Sequence, residues 1–172
     1  MSHHPQASRL AAGLQVLGLA LSAEQQQKLL AYLHLLDVGA GGGLPGAVIA
    51  ICCPEAQVDC VDTVGKKAAF IQQVAGALAL PNLRGIHARV EALTGPYDVI
   101  ASRAFASLGD FTTWSRQALG QRGVWMAMKG KHPDDELAAL PADVEVFHVE
   151  QLEVPGLDAE RCLLWLRPKE YV

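Results

Sequence analysis

Five glycines fall within the eight residues Gly39 to Gly46, immediately after the apolar run "HLLDV". A strand, a glycine turn and a helix in succession bring backbone N–H groups and a helix N-terminus up to a ligand. Glycine suits such a loop because a side chain would block the approach or because the turn needs positive φ. Asp62 ends the next apolar run, 19 residues after Gly43, where a carboxylate can accept both hydroxyls of a ribose. Its plainer reading is a strand-end Asp that caps the following helix. Arg103 ends a later run, "YDVIASR", and its planar fork suits a cofactor carboxylate or a phosphate. The plainer alternative is a surface arginine paired with an acid. Lys129, which ends "GVWMAMK", and Lys131 just beyond it lie on the same edge and are candidate contacts for phosphates, or else solvated lysines on a turn.

Two patterns overlap in the glycine loop. Gly41, Gly43 and Gly46 satisfy the dinucleotide fingerprint G-x-G-x-x-G. Asp37, Gly39, Gly41 and Gly43 satisfy D-x-G-x-G-x-G, typical of S-adenosylmethionine (SAM) methyltransferases. Asp62 serves either adenosine cofactor. Pro45 tilts the choice towards SAM, because it removes an N–H donor where a pyrophosphate would want several.

These residues need a scaffold. Short apolar runs ("HLLDV", "QVDCVD", "RGIHAR", "YDVIASR", "GVWMAMK") read as strands and alternate with helices expected at 46–53, 66–79, 111–119 and 133–140. That alternation predicts an α/β fold with a mostly parallel sheet covered on both faces. The runs "VEVFHVEQL" and "ERCLLWLRP" have no helix between them and predict an antiparallel pair at one edge. Residues 90 to 96 are few for a parallel crossover, which usually takes about a dozen. Upstream, Ser22 and Gln25 suggest a capping box, with Leu29, Leu30, Leu33 and Leu36 at helical spacing, and Leu10, Leu14, Leu17 and Leu21 share another helical face. The expected organisation is an N-terminal helical cap over 1–34 and a catalytic domain over 35–172.

The totals narrow the classes. A chain of 172 residues with 51% apolar residues suits one globular domain. A net charge of −4 argues against sequence-blind nucleic-acid binding but leaves room for a local basic patch. The four cysteines lack metal-ligand spacing and read as reduced core thiols. No apolar run reaches the length of about 20 residues needed to span a bilayer. With no secretory signal in the opening residues, the expectation is a cytoplasmic monomer without membrane attachment.

The stretches "LDVGAGGGLPG", "VDTVGKKAAFIQQV", "HARVEAL", "ASRAFASL", "AMKGKHPDDEL" and "VPGLDAERCLLWL" resemble the glucose-inhibited division protein B family, the small-subunit rRNA guanine-N7 methyltransferases. The resemblance runs from Leu35 to the C-terminus and, in more ordinary residues, through the N-terminal helices. It implies a class I SAM-dependent methyltransferase (Rossmann-like) fold with a seven-stranded, mostly parallel sheet whose last strand is antiparallel. It implies that Gly39, Gly41 and Leu44 contact SAM, with Asp62 at the ribose, Val90 and Glu91 flanking the adenine, and Arg103 at the cofactor. It also implies 16S rRNA, or the 30S subunit, as substrate and partner. It further implies a longer connection at Leu35, where a helix otherwise runs straight into a strand: either this form lacks that segment or, the favoured expectation, the junction joins stretches that lie apart in the full protein.

Residues after the fourth strand bear on mechanism. "IASRAF" carries neither an Asn/Asp-Pro-Pro-aromatic motif for amine methylation nor a cysteine nucleophile for C5 methylation. Guanine N7 has a lone pair and loses no proton, so alignment and exclusion of water suffice, with Arg103 as the active-site cation. Trp114, Trp125 and Trp165 read as packing, and His87, His132 and His148 as residues without a catalytic role. Two other classes stay open on sequence alone: an NAD(P)-dependent Rossmann oxidoreductase, and a non-catalytic SAM or nucleotide-binding protein.

Overall fold

In the computed structural model, residues 33–169 are described; the expected N-terminal helices lie outside them. The elements in chain order are β1 (His34–Val38), α1 (Gly46–Cys52), β2 (Gln57–Asp62), α2 (Gly65–Ala77), β3 (Leu83–His87), β4 (Tyr97–Arg103), α3 (Leu108–Trp114), β5 (Leu119–Lys129), α4 (Asp134–Ala138), β6 (Val144–Gln151) and β7 (Cys162–Pro168). Short 3-10 turns at Val90–Ala92 and Arg116–Ala118 complete the set.

The seven strands form one sheet in the order β3-β2-β1-β4-β5-β7-β6. β1 to β5 pair in parallel, and β7 runs antiparallel to both β5 and β6. The expected antiparallel pair is therefore present at one edge. Parallel strands buried on both faces read as nearly continuous apolar runs, and β4 shows why: Val99 and Ala101 face one layer, Ile100 the other, all at most 2% exposed. On the first face Leu35, Val58, Cys60 and Met126 pack with Ala47, Ala50, Ile71 and Ala75 of α1 and α2. On the second, Leu36, Val38, Val61, Trp125 and Ala127 pack with Leu108 and Phe111 of α3. Each large side chain so buried contributes about 1.5–3 kcal/mol relative to exposure.

Three sequence expectations shift. Leu36, expected to continue the helical spacing of Leu29 to Leu33, lies in β1 because it pairs with β2 and β4 on both sides. α3 begins at Leu108 rather than residue 111, because the Ser107 hydroxyl accepts from the Asp110 N–H at 3.1 Å and starts the helix there. The β3–β4 connection carries no α-helix. Val90 and Leu93 from that connection pack into the second core themselves. It works because β4 returns to the middle of the sheet beside β1 rather than beside β3, leaving a switch in strand direction of travel between β1 and β4. Open α/β sheets bind ligands outside the C-terminal strand ends at such a switch.

Candidate active site

A cleft of about 330 Å³ opens at that position. Its wall is contributed by the strand ends and the turns just beyond them: Val38 and Gly39 at the end of β1, Val61 to Val64 at and after the end of β2, Ala88 to Glu91 after β3, and Ala104 and Phe105 after β4, with Lys67 and Trp114 at its sides. Of the predicted site residues it brings together Gly39, Asp62, Val90 and Glu91.

Asp62 is 7% exposed and organises the loop it faces. Its Oδ2 accepts from the Gly41 N–H at 3.0 Å and its Oδ1 from the Val64 N–H at 2.9 Å. Lys67 Nζ stands 3.9 Å from Oδ2. The carboxylate thus bends the chain ahead of α2, whose N-cap is Val64 and has no side-chain cap bond, while lining the cleft with lone pairs that a ribose can still use.

The glycine loop differs from the sequence expectation in one respect: its N–H groups point inward. Gly39 and Ala40 donate to the Val61 carbonyl, Gly43 and Leu44 to the Ala40 carbonyl, Gly41 to Asp62, and Ala47 to the Gly43 carbonyl. Gly46 donates to Asp37 at 2.8 Å, and Pro45 has no N–H. Neither the loop nor the start of α1 offers the row of donors that a pyrophosphate needs, so the dinucleotide reading loses its physical basis. The glycines answer to geometry instead. Gly39 has φ +65°, and a Cβ there would stand 2.4 Å from Phe105 Cδ2. At Gly46 a Cβ would meet the Cys60 Sγ at 2.3 Å.

Asp37, at the other end of this loop, is fully buried. Burial drives its carboxyl up to about 7, against the Gly46 N–H and the charge of Arg103, which both pull it down. Its Oδ1 has no hydrogen-bond partner.

The remaining predicted residues sit apart. Leu44 is 41% exposed on the outer side of the loop and does not line the cleft. Arg103 ends β4, exposed, outside the cleft lining but close enough for its charge to act on Asp37. Glu91, by contrast, does line the cleft and pairs with Arg89 at 2.6 Å on its rim. Lys131 is exposed beyond β5. Lys129, expected at RNA phosphates, is engaged internally: Nζ lies 2.9 and 2.8 Å from the two Glu136 oxygens and 3.1 Å from the Ala106 carbonyl. Its sequence gave no warning, since Glu136 is seven residues away across a turn.

Trp125 and Trp165 are buried as expected, but Trp114 is 39% exposed at the cleft, edge-on to Phe105 with centroids 5.9 Å apart. Sequence reasoning missed both aromatics as cleft residues. Their signal lies in the turn after β4, where Ala104 takes φ +52° and swings Phe105 back onto Gly39. His87 and His132 are engaged with the Thr63 carbonyl and Asp134. None of the four cysteines forms a disulfide. Among the described residues no cluster suits a metal ion, and no helix is long and apolar enough to cross a membrane.

The described fold is similar to that of solved SAM-dependent methyltransferases. TrmN from Thermus thermophilus superposes with a TM-score of 0.63 at 19% identity, over 80% of this chain and 44% of that one. A SAM dependent methyltransferase from Aquifex aeolicus gives 0.59 at 15% identity, over 78% and 81%. Among sequence relatives, the ribosomal RNA small subunit methyltransferase G of Acidovorax sp. (strain JS42) is 77% identical over 135 residues, 78% of this chain and 60% of that protein. Its counterpart from Polaromonas naphthalenivorans (strain CJ2) is 73% identical over 78% of this chain and 61% of that protein. The chain thus spans about 60% of the length of the curated relatives it matches. The fold is that of the class I SAM-dependent methyltransferases, and the model of the GidB family, rRNA small subunit methyltransferase G, matches residues 15–164, so the chain belongs to that family.

Proposed function

We propose that this chain methylates guanine N7 of 16S rRNA with SAM as donor, acting as a cytoplasmic monomer on the RNA or the 30S subunit. The observation that carries the reading is the cleft at the β1/β4 switch. It presents a ribose-binding carboxylate and a glycine turn whose inward N–H groups leave no anion cradle, which suits a sulfonium nucleoside better than a dinucleotide. About 330 Å³ lies within the range of small-ligand sites.

In this reading Asp62 accepts from the ribose hydroxyls, Val90 and Glu91 flank the adenine, and the Gly39–Gly41 turn gives the methionyl end room against the backbone. Arg103 sits at the reacting edge and orients a carboxylate or phosphate there. The bound SAM supplies an electrophilic methyl group. The chain supplies alignment: Phe105 and Trp114 wall the cleft and keep water from the N7 lone pair. No general base is needed because N7 loses no proton. Lys131 is the candidate phosphate contact, and Lys129 reaches RNA only if it leaves Glu136.

The test is transfer of labelled methyl from SAM to 30S subunits and to their extracted 16S rRNA, followed by mapping of the modified base. One labelled guanine N7 is the expected outcome. Binding of S-adenosylhomocysteine without incorporation into either RNA would sink the methyltransferase reading and leave a sensor.

A further inference from the structure

The loop from Ala104 to Ser107 carries Phe105 onto Gly39, and it is held from behind. Lys129, the last residue of β5, donates to the Ala106 carbonyl at 3.1 Å. Glu136 of α4 accepts from the Leu108 N–H at 2.6 Å. The two side chains are also bonded to each other, at 2.9 and 2.8 Å. One ion pair therefore grips a carbonyl and an N–H that bracket Ser107, two residues beyond Phe105. The pair is partly buried, with side chains 18% and 31% exposed, so salt and water screen it less than a surface pair. Neither residue lines the cleft.

We propose that Lys129 and Glu136 are positioning residues for methyl transfer: the pair clamps the turn after β4 so that Phe105 lies against Gly39 and closes the reacting end of the cleft. This rests on the methyltransferase reading above. The grip matters because the turn does not hold itself. Ala104 occupies the left-handed region at φ +52°, which costs a non-glycine residue energy and must be imposed by its surroundings. Phe105 itself is only partly covered, edge-on to the half-exposed Trp114 at 5.9 Å and to the buried Phe111 at 6.5 Å. A loop released at Ala106 and Leu108 would let the ring leave Gly39, widen the cleft and admit water at the reacting atoms.

The decisive variant is Glu136→Gln. It keeps an acceptor for the Leu108 N–H but removes the charge that holds Lys129. Methyl transfer to 30S subunits, S-adenosylhomocysteine affinity by calorimetry and thermal unfolding are measured for Glu136→Gln, Lys129→Met and the double variant. A clamp predicts that each single variant lowers kcat by about tenfold to a hundredfold, the scale of a misplaced reacting group. It also predicts weaker S-adenosylhomocysteine binding, and a double variant no worse than the poorer single one because the residues act as a unit. A direct phosphate contact by Lys129 predicts the reverse for Glu136→Gln: RNA binding tightens as a negative charge leaves, and kcat holds. That result would overturn the proposal, as would activity lost only in proportion to unfolded protein at the assay temperature. If the parent chain transfers no methyl group, the function assigned above fails, and cofactor affinity still decides the clamp: unchanged affinity in all three variants rejects it.

Discussion

At the two ends of the same strands, buried carboxylates are treated in opposite ways. Towards the N-terminal ends, Asp59 of β2 is 4% exposed and fully engaged. It accepts from Arg84 Nε and Nη2 at 2.9 and 2.6 Å and from the Tyr97 hydroxyl at 2.7 Å, with His34 Nε2 at 3.2 Å. One carboxylate so joins the first four strands. Towards the C-terminal ends, Asp62 is shared between the chain and an open cleft, and Asp37 keeps one oxygen without a partner. Burial alone would raise both Asp59 and Asp37. At Asp59 it is outweighed by hydrogen bonds from Arg84 and Tyr97 and by the charges of Arg84 and His34, and the carboxyl ends below its ordinary range. At Asp37 burial wins. A completed network marks the end that holds the fold, and an incomplete one marks the end that meets the ligand.

The contrast can be broken most severely at Asp62. Asp62→Ala removes two charge-assisted bonds to the loop backbone together with the proposed ribose acceptor. We expect S-adenosylhomocysteine affinity to fall by about a hundredfold in calorimetry, with the unfolding transition retained. Binding at parent strength would remove Asp62 from the site.

At the opposite end the effect should fall on stability. Asp59→Ala strands the Tyr97 hydroxyl and the Arg84 guanidinium, and Arg84 is 62% exposed, so water compensates much of the loss. A destabilisation of about 2 kcal/mol is expected in denaturant unfolding, with cofactor affinity unchanged. Weakened cofactor binding in the folded variant would blur the division between the two ends.

The smallest effect, and the sharpest, is in pH. Asp37 has a folded value above its unfolded one, so the native state binds the extra proton, and the stability this contributes is lost as pH rises from about 4 to about 7. Asp59, with a lowered value, contributes stability above the ordinary carboxylate range that is lost as pH falls through its folded value. Asp37→Asn should therefore flatten the decline between about pH 4 and 7 in thermal scans while leaving the acid limb in place. A decline that persists unchanged in Asp37→Asn assigns it to another group.

How far these features were legible depends on their reach along the chain. Apolar runs located all seven strands, since each strand's burial is written in its own residues. The glycine turn and Asp62 were legible because their spacing is local. The donors' direction was not, because it depends on the Val61 carbonyl and Asp62 of the neighbouring strand. The start of α3 was missed for want of weighing Ser107 against the apolar period. The pairing of Lys129 with Glu136 was not legible because ammonium groups look alike in sequence whether they face solvent or a carboxylate one turn away. Asn82 shows the same limit. It is 5% exposed, and its amide reaches the carbonyls of Ala50, Cys53 and Ala56 to close the end of α1, a cap supplied from about thirty residues away.

The strand order also decides which backbone groups a neighbouring molecule would meet. β3 and β6 form the two margins of the sheet, and each is a poor template for further pairing. β3 is five residues long, with Arg84 and Gly85 near its middle. β6 carries Glu145 and Glu150, and its register with β7 shifts between Val146 and His148. Short length, charge and an irregular ladder are the means by which sheets discourage edge-to-edge aggregation. A chain with half its residues apolar thus guards its margins against its own copies, whether the protein is newly made or crowded around its substrate.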